Sequence, residues 1–535
     1  DGTQHSPTVM RFGEKVGDSW DYTFIDERAD NPYELLYGGE AGTVSRLVLR
    51  GEDGMAKITE VLNFANDPIE TLSIVAEGNS GEFWLGKDFI TAQNLQQYRT
   101  QLESWGESLS PTADILLYSC FTALGEVGES LVNQIANATG ADVAASVNAT
   151  GSANYGGDWV LESSTGSIEA LTTFSDLTLS VWDGKLATRT VTSSADDNTA
   201  GTLRFEIGAA TAGDTILFDS ARTVNTTGFI TWGQADLTID GNGSTVQGNN
   251  TFRIFESTAT AGTTTIQNLT ISGGSAAFAN GGGGLRAFSN ITLTNSTVSG
   301  NSSGFLGGGG GLSASNITLT NSTVSGNSGG FGGGLRASNN ITLTNSTVSG
   351  NSSSPTGAGG GMFASIITLT NSTVSGNSGS AGGGLNAGGG IITLTNSTVS
   401  GNSAGGGGGG GLHASNITLT NSTVSGNSAD YGGGGLSASN ITLTNSTIAF
   451  NVADADNNGT GDGGGIFKFG TGIATINNSI IAQNQDLGGQ APDLSGTFDT
   501  IQSSLIQNTT GATITTDTSN IKGIDPLLLP LANNG

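Results

Sequence analysis

The chain has 535 residues, and its 87 glycines with a hydrophobic fraction of only 35% make a composition unusual for a globular enzyme. Its 45 acidic and 17 basic residues give a formal charge of −28, which argues against nucleic acid and anionic membrane as partners and favours cations. One cysteine, Cys120, excludes an intrachain disulfide framework and a cysteine zinc cluster, and no apolar run reaches the roughly 18 residues that a membrane-spanning helix needs.

Residues 1–13 read as an extended leader, and 14–187 as an α/β domain, with strand signals near 22–26, 46–50, 71–77, 113–119 and 142–146 and helical patterns between them. Of the acids, 28 lie before Gly184, whereas Thr264 to Phe450 carries only Asp430, Arg286 and Arg336. Two regions of different character are therefore joined. The segments TLSIVAEGNSGEFWLG, ADILLYSCFTALGEVGESLVNQIANATGADVAAS and GGDWVLE resemble a bacterial domain of unknown function found at the N-terminus of large secreted repeat proteins. That family is similar, distantly, to caspase-type cysteine peptidases.

The resemblance implies a His-Gly pair ending one strand and a Gly-Cys pair ending the next, which would set imidazole beside thiol for nucleophilic catalysis. Here the pairs are Glu77-Gly78 and Ser119-Cys120, so the nucleophile position is kept and the base is lost. The two histidines, His5 and His413, stand far from these motifs in sequence. A thiol without a base stays mostly protonated at neutral pH, so no catalytic residue is assigned. Glu77 and Asp114 are expected at opposite ends of their strands and not as a carboxylate pair.

Residues 188–263 read as strand, amphipathic helix and strand, then first coils, with Leu203, Phe205, Ile207 and Ala210 available to cap a solenoid. From 264 to 535 a repeat dominates. The motif ITLTNSTVSGN starts at Ile291, Ile317, Ile341, Ile367, Ile392 and Ile417 and returns as ITLTNSTIAFN at Ile441, a period of 24 to 26 residues. Ile-Thr-Leu-Thr alternates as a half-buried strand, Val298 and its equivalents turn inward after a bend, and a third strand follows each glycine run at Leu285, Leu312, Leu335, Met362, Leu385, Leu412, Leu436 and Ile466. Three strands per coil, stacked about 4.8 Å apart over roughly twelve coils, predict a solenoid of order 55 to 60 Å.

At the bend, Asn295, Asn321, Asn345, Asn371, Asn396, Asn421 and Asn445 form one column, expected to be a structural ladder, and Asn301 through Asn451 form a second. Asn-Ser-Thr also matches the glycosylation acceptor pattern, but stacking accounts for every copy at once. The glycine runs read as turn chemistry, because no Lys-Ser pair follows them as in a phosphate loop. With the closing IDPLLLPLANNG, residues 188 onward resemble bacterial right-handed parallel β-helix proteins of the pectate-lyase-like superfamily, of the secreted choice-of-anchor type. That resemblance implies a fold shared by polysaccharide lyases, adhesins and surface proteins alike.

A lyase would need clustered carboxylates for calcium and a basic residue on one face. The outward column here runs Arg286, Ser313, Arg336, Phe363, Asn386, His413, Ser437 and Phe467, and reads as mixed, solvated surface. A weak calcium site is expected in the insertion DADNNGTGDGGG, with Asp454, Asp456, Asn458, Thr460 and Asp462 as oxygen donors, Gly459 at the sharp turn, and Gly465 where a bidentate glutamate would stand.

The functional expectation is an extracellular structural protein of a bacterial cell surface, its partner a further copy of itself. After the coil near 501–507 no amphipathic helix covers the last strands, and the leader of a neighbour is expected to dock there, head to tail. A monomeric adhesin for cell-surface polysaccharide, a polysaccharide lyase and a cysteine peptidase are the alternatives.

Overall fold

A computed structural model describes residues 8–15, 20–65, 67–153, 157–184, 186, 188–276, 281–305, 307–459 and 461–531. The chain divides into two compact units, Asp1–Thr190 with Ala212–Asp219, and Val191–Thr211 with Ser220–Gly535.

The first unit holds strands β1 (Val9–Arg11), β2 (Asp21–Asp26), β3 (Thr43–Val48), β4 (Ile69–Val75), β5 (Gly78–Asn79), β6 (Glu82–Leu85), β7 (Asp88–Thr91), β8 (Leu109–Tyr118), β9 (Asp142–Ala145) and β10 (Ser163–Ser164), with helices α1 (Pro32–Leu36), α2 (Gly54–Asn63), α3 (Arg99–Ser108), α4 (Gly125–Thr139) and α5 (Asp176–Val181). The main sheet runs β1-β3-β2-β4-β8-β9-β10, parallel inside and antiparallel at both edges. A parallel sheet must be covered on both faces, and the strand alternation does this. Leu72, Ile74, Ile115 and Leu117 pack with Ile58, Trp105 and Leu131 from α2, α3 and α4. Val75, Leu116 and Tyr118 pack on the other face with Leu35, Phe174 and Trp182.

Two expectations change here. The strand read at 46–50 ends at Val48, because the Glu52 carboxylate accepts the Leu49 amide at 2.8 Å and turns the chain toward α2. The leader is not wholly free: Val9, Met10 and Arg11 pair with Arg46, Ser45 and Val44 as an edge strand, which removes them as a docking arm. Residues 1–7, including His5, lie outside the described residues.

Strand 188–191, helix α6 (Leu203–Ala209) and strand 215–218 follow in the expected order. Thr202 caps α6 by accepting the Phe205 amide, and the helix packs on the strand Ile230–Trp232. Leu203, Ile207 and Ala210 are buried, but Phe205 is exposed. Glu206 is buried in its stead, its carboxylate accepting the Gly201 amide at 2.9 Å, a local bond that a hydrophobic pattern does not reveal.

The second unit is a parallel β-helix. Each coil sits on the next in register, Ile291 on Ile317, Ile341, Ile367, Ile392, Ile417 and Ile441, and the Leu285 column pairs in the same way through to Ile466. These inward side chains are essentially fully buried. Outward, threonine faces threonine from Thr238 and Thr265 through Thr292 to Thr500 and Thr516, including coils whose motif has decayed. β-branched side chains suit such a stacked, half-exposed position.

The structure adds a ladder that periodicity does not show, nine two-residue strands from Ser275–Ala276 to Gln485–Asp486, the first after Gly274 and the others each just after an asparagine of the second column. The glycine corner is tight: a Cβ on Gly333 would meet the Ser352 carbonyl at 2.3 Å and the Gly360 carbonyl at 2.4 Å. Gly333→Ala is accordingly expected to cost about 2 to 4 kcal/mol, since backbone on both sides would have to move; thermal unfolding unchanged from the parent would contradict this close approach.

Candidate functional site

The register of β4 on β8 sets Val75 beside Tyr118, and the Ala76 amide donates to the Tyr118 carbonyl at 3.0 Å. Glu77-Gly78 therefore ends up next to Ser119-Cys120, as the motif resemblance implies. Glu77 and Cys120 are both buried. The Cys120 thiol accepts the Thr150 amide at 3.0 Å and reaches the Thr150 carbonyl at 3.5 Å. Gly78 has no room for a side chain, because a Cβ there would lie 2.1 Å from the Ser119 hydroxyl.

Asp114 pairs in register with Thr71, at the other end of the strand from Glu77, and its carboxylate accepts the Glu169 and Ala170 amides at 2.8 and 2.7 Å. The two acids do not form a pair. Burial nevertheless pushes the Asp114 carboxyl above the usual range. Cys120→Ala is expected to leave the fold intact at a cost of about 1 kcal/mol, the worth of its bond to Thr150; loss of cooperative unfolding in that variant would contradict it.

In the solenoid the two asparagine columns divide the labour. Asn295, Asn321, Asn345, Asn371, Asn396, Asn421 and Asn445 all hold φ near +50°, the left-handed region that asparagine tolerates. Their exposed amides link along part of the column, as from Asn396 to Asn371 and from Asn421 to Asn396, each at 3.2 Å.

The second column is buried and continuous from Asn301 to Asn484. Each Nδ2 donates to the next Oδ1, and each backbone amide does the same, at 2.9 to 3.0 Å. The ladder ends on Asp493, whose Oδ1 accepts Asn484 Nδ2 at 2.8 Å. A third ladder lies between the columns: the Ser296 amide donates to the Ser322 hydroxyl, and so on coil by coil to Ser504. Its one sequence signal was the serine that follows every asparagine of the first column.

In the acidic insertion, Asp454 is buried with φ +50°. Its Oδ1 accepts the Asn458 amide at 2.9 Å and its Oδ2 the Gly459 amide at 2.9 Å, so the carboxylate closes its own loop. Asp456 accepts Asn458 Nδ2 at 2.6 Å, and burial, with the field of Asp486 added, raises the Asp462 pKa. Thr460 lies outside the described residues. Among the described residues no group of three or more His, Cys, Asp or Glu side chains comes together as metal ligands.

The outward column is less uniformly solvated than its sequence suggests. Asn386 and Ser437 are buried, Asn386 being folded onto the Ala381 carbonyl and Gly388 amide at the glycine corner. The Phe331 and Phe363 rings pack tilted at 5.7 Å between centroids, and those of His413 and Phe469 at 6.1 Å. Burial lowers the His413 pKa. Arg336, Ser338, Phe363, Ser365 and Gly388 line a shallow depression. No helix among the described residues is long and apolar enough to cross a membrane.

Two family models match the chain, a domain of unknown function, DUF4347, over residues 22–186 and a right handed beta helix region over residues 254–411. Among solved structures, the crystal structure of pectate lyase Pel9A matches at 13% identity with a TM-score of 0.35, over 65% of this chain and 82% of that one. No curated protein matches.

Proposed function

We propose that this right-handed parallel β-helix with its N-terminal α/β domain is a non-catalytic extracellular structural protein of a bacterial cell surface, and that copies join head to tail through the last coil. The observation that carries the reading is the state of that coil. Strands Ala512–Thr518 and Ile521–Lys522 end the 31-stranded ladder of the described residues. Beyond Ile521, itself exposed, Ile524, Leu527, Leu529 and Leu531 are also exposed. An edge strand of a sheet with bare aliphatic side chains beside it is a template for another strand.

The absence of catalysis is supported by Glu77 standing where the resemblance calls for an imidazole. Turnover of a peptide library that disappears in Cys120→Ala, or of a uronic-acid polymer by the wild type, would overturn this part.

Assembly is tested by Ile521→Asp with Leu529→Asp. Light scattering at high concentration is expected to show polymers for the parent and single chains for the variant. Discrete parent dimers would overturn the head-to-tail arrangement in favour of tail-to-tail pairing.

A second reading, a monomeric adhesin for cell-surface polysaccharide, is favoured by the depression lined by Arg336 and Phe363, an aromatic beside a cation. Weak calcium binding through Asp454 and Asp456 belongs to either reading. Calorimetry is expected to give millimolar affinity, and no heat that depends on these two residues would end the idea.

A further inference from the structure

Each coil of the solenoid presents one strand segment to the outside in the same way. In the segments from Asn290–Thr294 through Ile366–Thr370 to the end of Leu436–Thr444, Ile291, Leu293 and their equivalents are buried and two threonines point outward. Parallel register sets Thr292 on Thr318 and Thr294 on Thr320, and continues within these segments without a slip to Thr442 and Thr444. The result is a two-dimensional array of threonines, about 4.8 Å apart from coil to coil and about 6.7 Å apart between the two rows. Ile366 and Ile391 stand exposed in the next row of the same face.

Two facts separate this array from the ladders beside it. Ser296, Asn301 and their equivalents use their side chains inside the protein, on backbone and on the coil above or below. The threonine side chains of the two rows form no hydrogen bond to a protein group among the described residues, so an ordered set of hydroxyls is left for something outside. The second fact is charge: in a chain of formal charge −28, these five-residue segments carry no ionisable side chain.

We propose that this threonine face binds ice. Water oxygens on the prism faces of hexagonal ice repeat at nearly the two distances of the array, so its rows of hydroxyls and methyls hold a first water layer close to lattice positions. Such a match is effective only on a surface already fixed in place. The branched threonine side chain is stiff about χ1. The serine and asparagine ladders at the adjoining bends hold successive coils in one orientation, which is how a sheet of many strands is kept from twisting. Charge complementarity points to the same occupant. Ice is uncharged and rejects ions, and an ionised side chain with its own hydration shell would interrupt the contact. The face runs along the solenoid and not across its end, so the inference stands apart from the head-to-tail assembly.

Ice grown slowly through a dilute solution of the whole chain tests it, by the fraction of protein taken into the solid. The parent is expected to enter the ice, whereas an ordinary solute is pushed ahead of the front. Thr368→Tyr with Thr393→Tyr raises two rings from paired positions in the middle of the array and is expected to lower that fraction about tenfold or more. Tyrosine is favoured in strands, and circular dichroism checks that the fold is kept. Ser378→Tyr with Ser403→Tyr puts the same rings at paired, exposed positions of another ladder and is expected to change nothing.

Exclusion of the parent from ice, or equal uptake of the parent and the threonine-face variant, would overturn the proposal. So would binding of the parent to microcrystalline cellulose or chitin, abolished by the same tyrosines, without uptake into ice; that result would assign the face to a neutral polysaccharide. Should the tyrosine variant fail to fold, Thr368→Lys with Thr393→Lys, whose charged ends reach into solvent, takes its place with the same expected loss, and uptake equal to the parent again overturns the proposal.

Discussion

Asn402→Ala is expected to destabilise the solenoid by about 3 to 5 kcal/mol, several times the effect of the same change one column away. Asn402 Nδ2 donates to the Val374 carbonyl at 3.1 Å and to Asn427 Oδ1 at 2.9 Å, while its Oδ1 accepts both the amide and the Nδ2 of Asn377 at 2.9 Å. Alanine would strand donors and acceptors that water cannot reach, because the residue is fully buried. Asn396 is exposed and serves chiefly to hold φ at +50°. Its replacement by alanine should cost about 1 to 2 kcal/mol, the penalty for a left-handed residue with a Cβ, and replacement by glycine almost nothing. Urea unfolding of the three variants checks the order. An Asn402→Ala loss no larger than that of Asn396→Ala would show that the buried ladder adds nothing net.

The second large effect is on pH dependence. Burial pushes the Asp493 carboxyl up to about 6 from 3.8, even though it accepts hydrogen bonds from Asn484 and Asn508. A pKa raised on folding means that the native state holds the proton more tightly than the unfolded chain. The resulting stability is complete below the unfolded value and is lost as pH rises through the folded one, so the last coils should weaken between about pH 4 and pH 6. A shift of roughly two units corresponds to about 3 kcal/mol. Hydrogen exchange at Ile481 and Ile506, which flank this end of the ladder, should accelerate over that range in the parent and far less in Asp493→Asn. The chain's net negative charge adds a general repulsion of the same sign, so the difference between the two proteins is the quantity to read. Parallel profiles for both would contradict the assignment.

Strands, register and coil boundaries were legible because Ile-Thr-Leu-Thr carries the period of a half-buried strand and the repeat length forces like onto like. The α/β strands were legible for the same reason, apolar runs bounded by turn residues. What escaped was whatever lacks a period. The Ser302–Ser303 ladder is too short to alternate, and the burial of Glu206 in the place of Phe205 depends on one bond to Gly201.

Candidate sites were legible as residue types but not as directions. The acids of the insertion are visible in the sequence, yet only the folded chain shows Asp454 turned onto its own loop. Glu77 and Cys120 were read as neighbours from motif resemblance, while the Leu186 carbonyl between their backbones gives no local signal, being brought there by a chain segment 66 residues beyond Cys120.

On the proposed function, the coil of Ala512–Thr518 and Ile521–Lys522, with the exposed aliphatic residues that follow it, joins one copy to the next. Negative-stain microscopy of the purified protein, with its native termini and with and without calcium, tests it most directly. Linear polymers in which the α/β domains recur once per solenoid are expected, and their loss in Ile521→Asp with Leu529→Asp. Single solenoids at every concentration, in parent and variant alike, would contradict it.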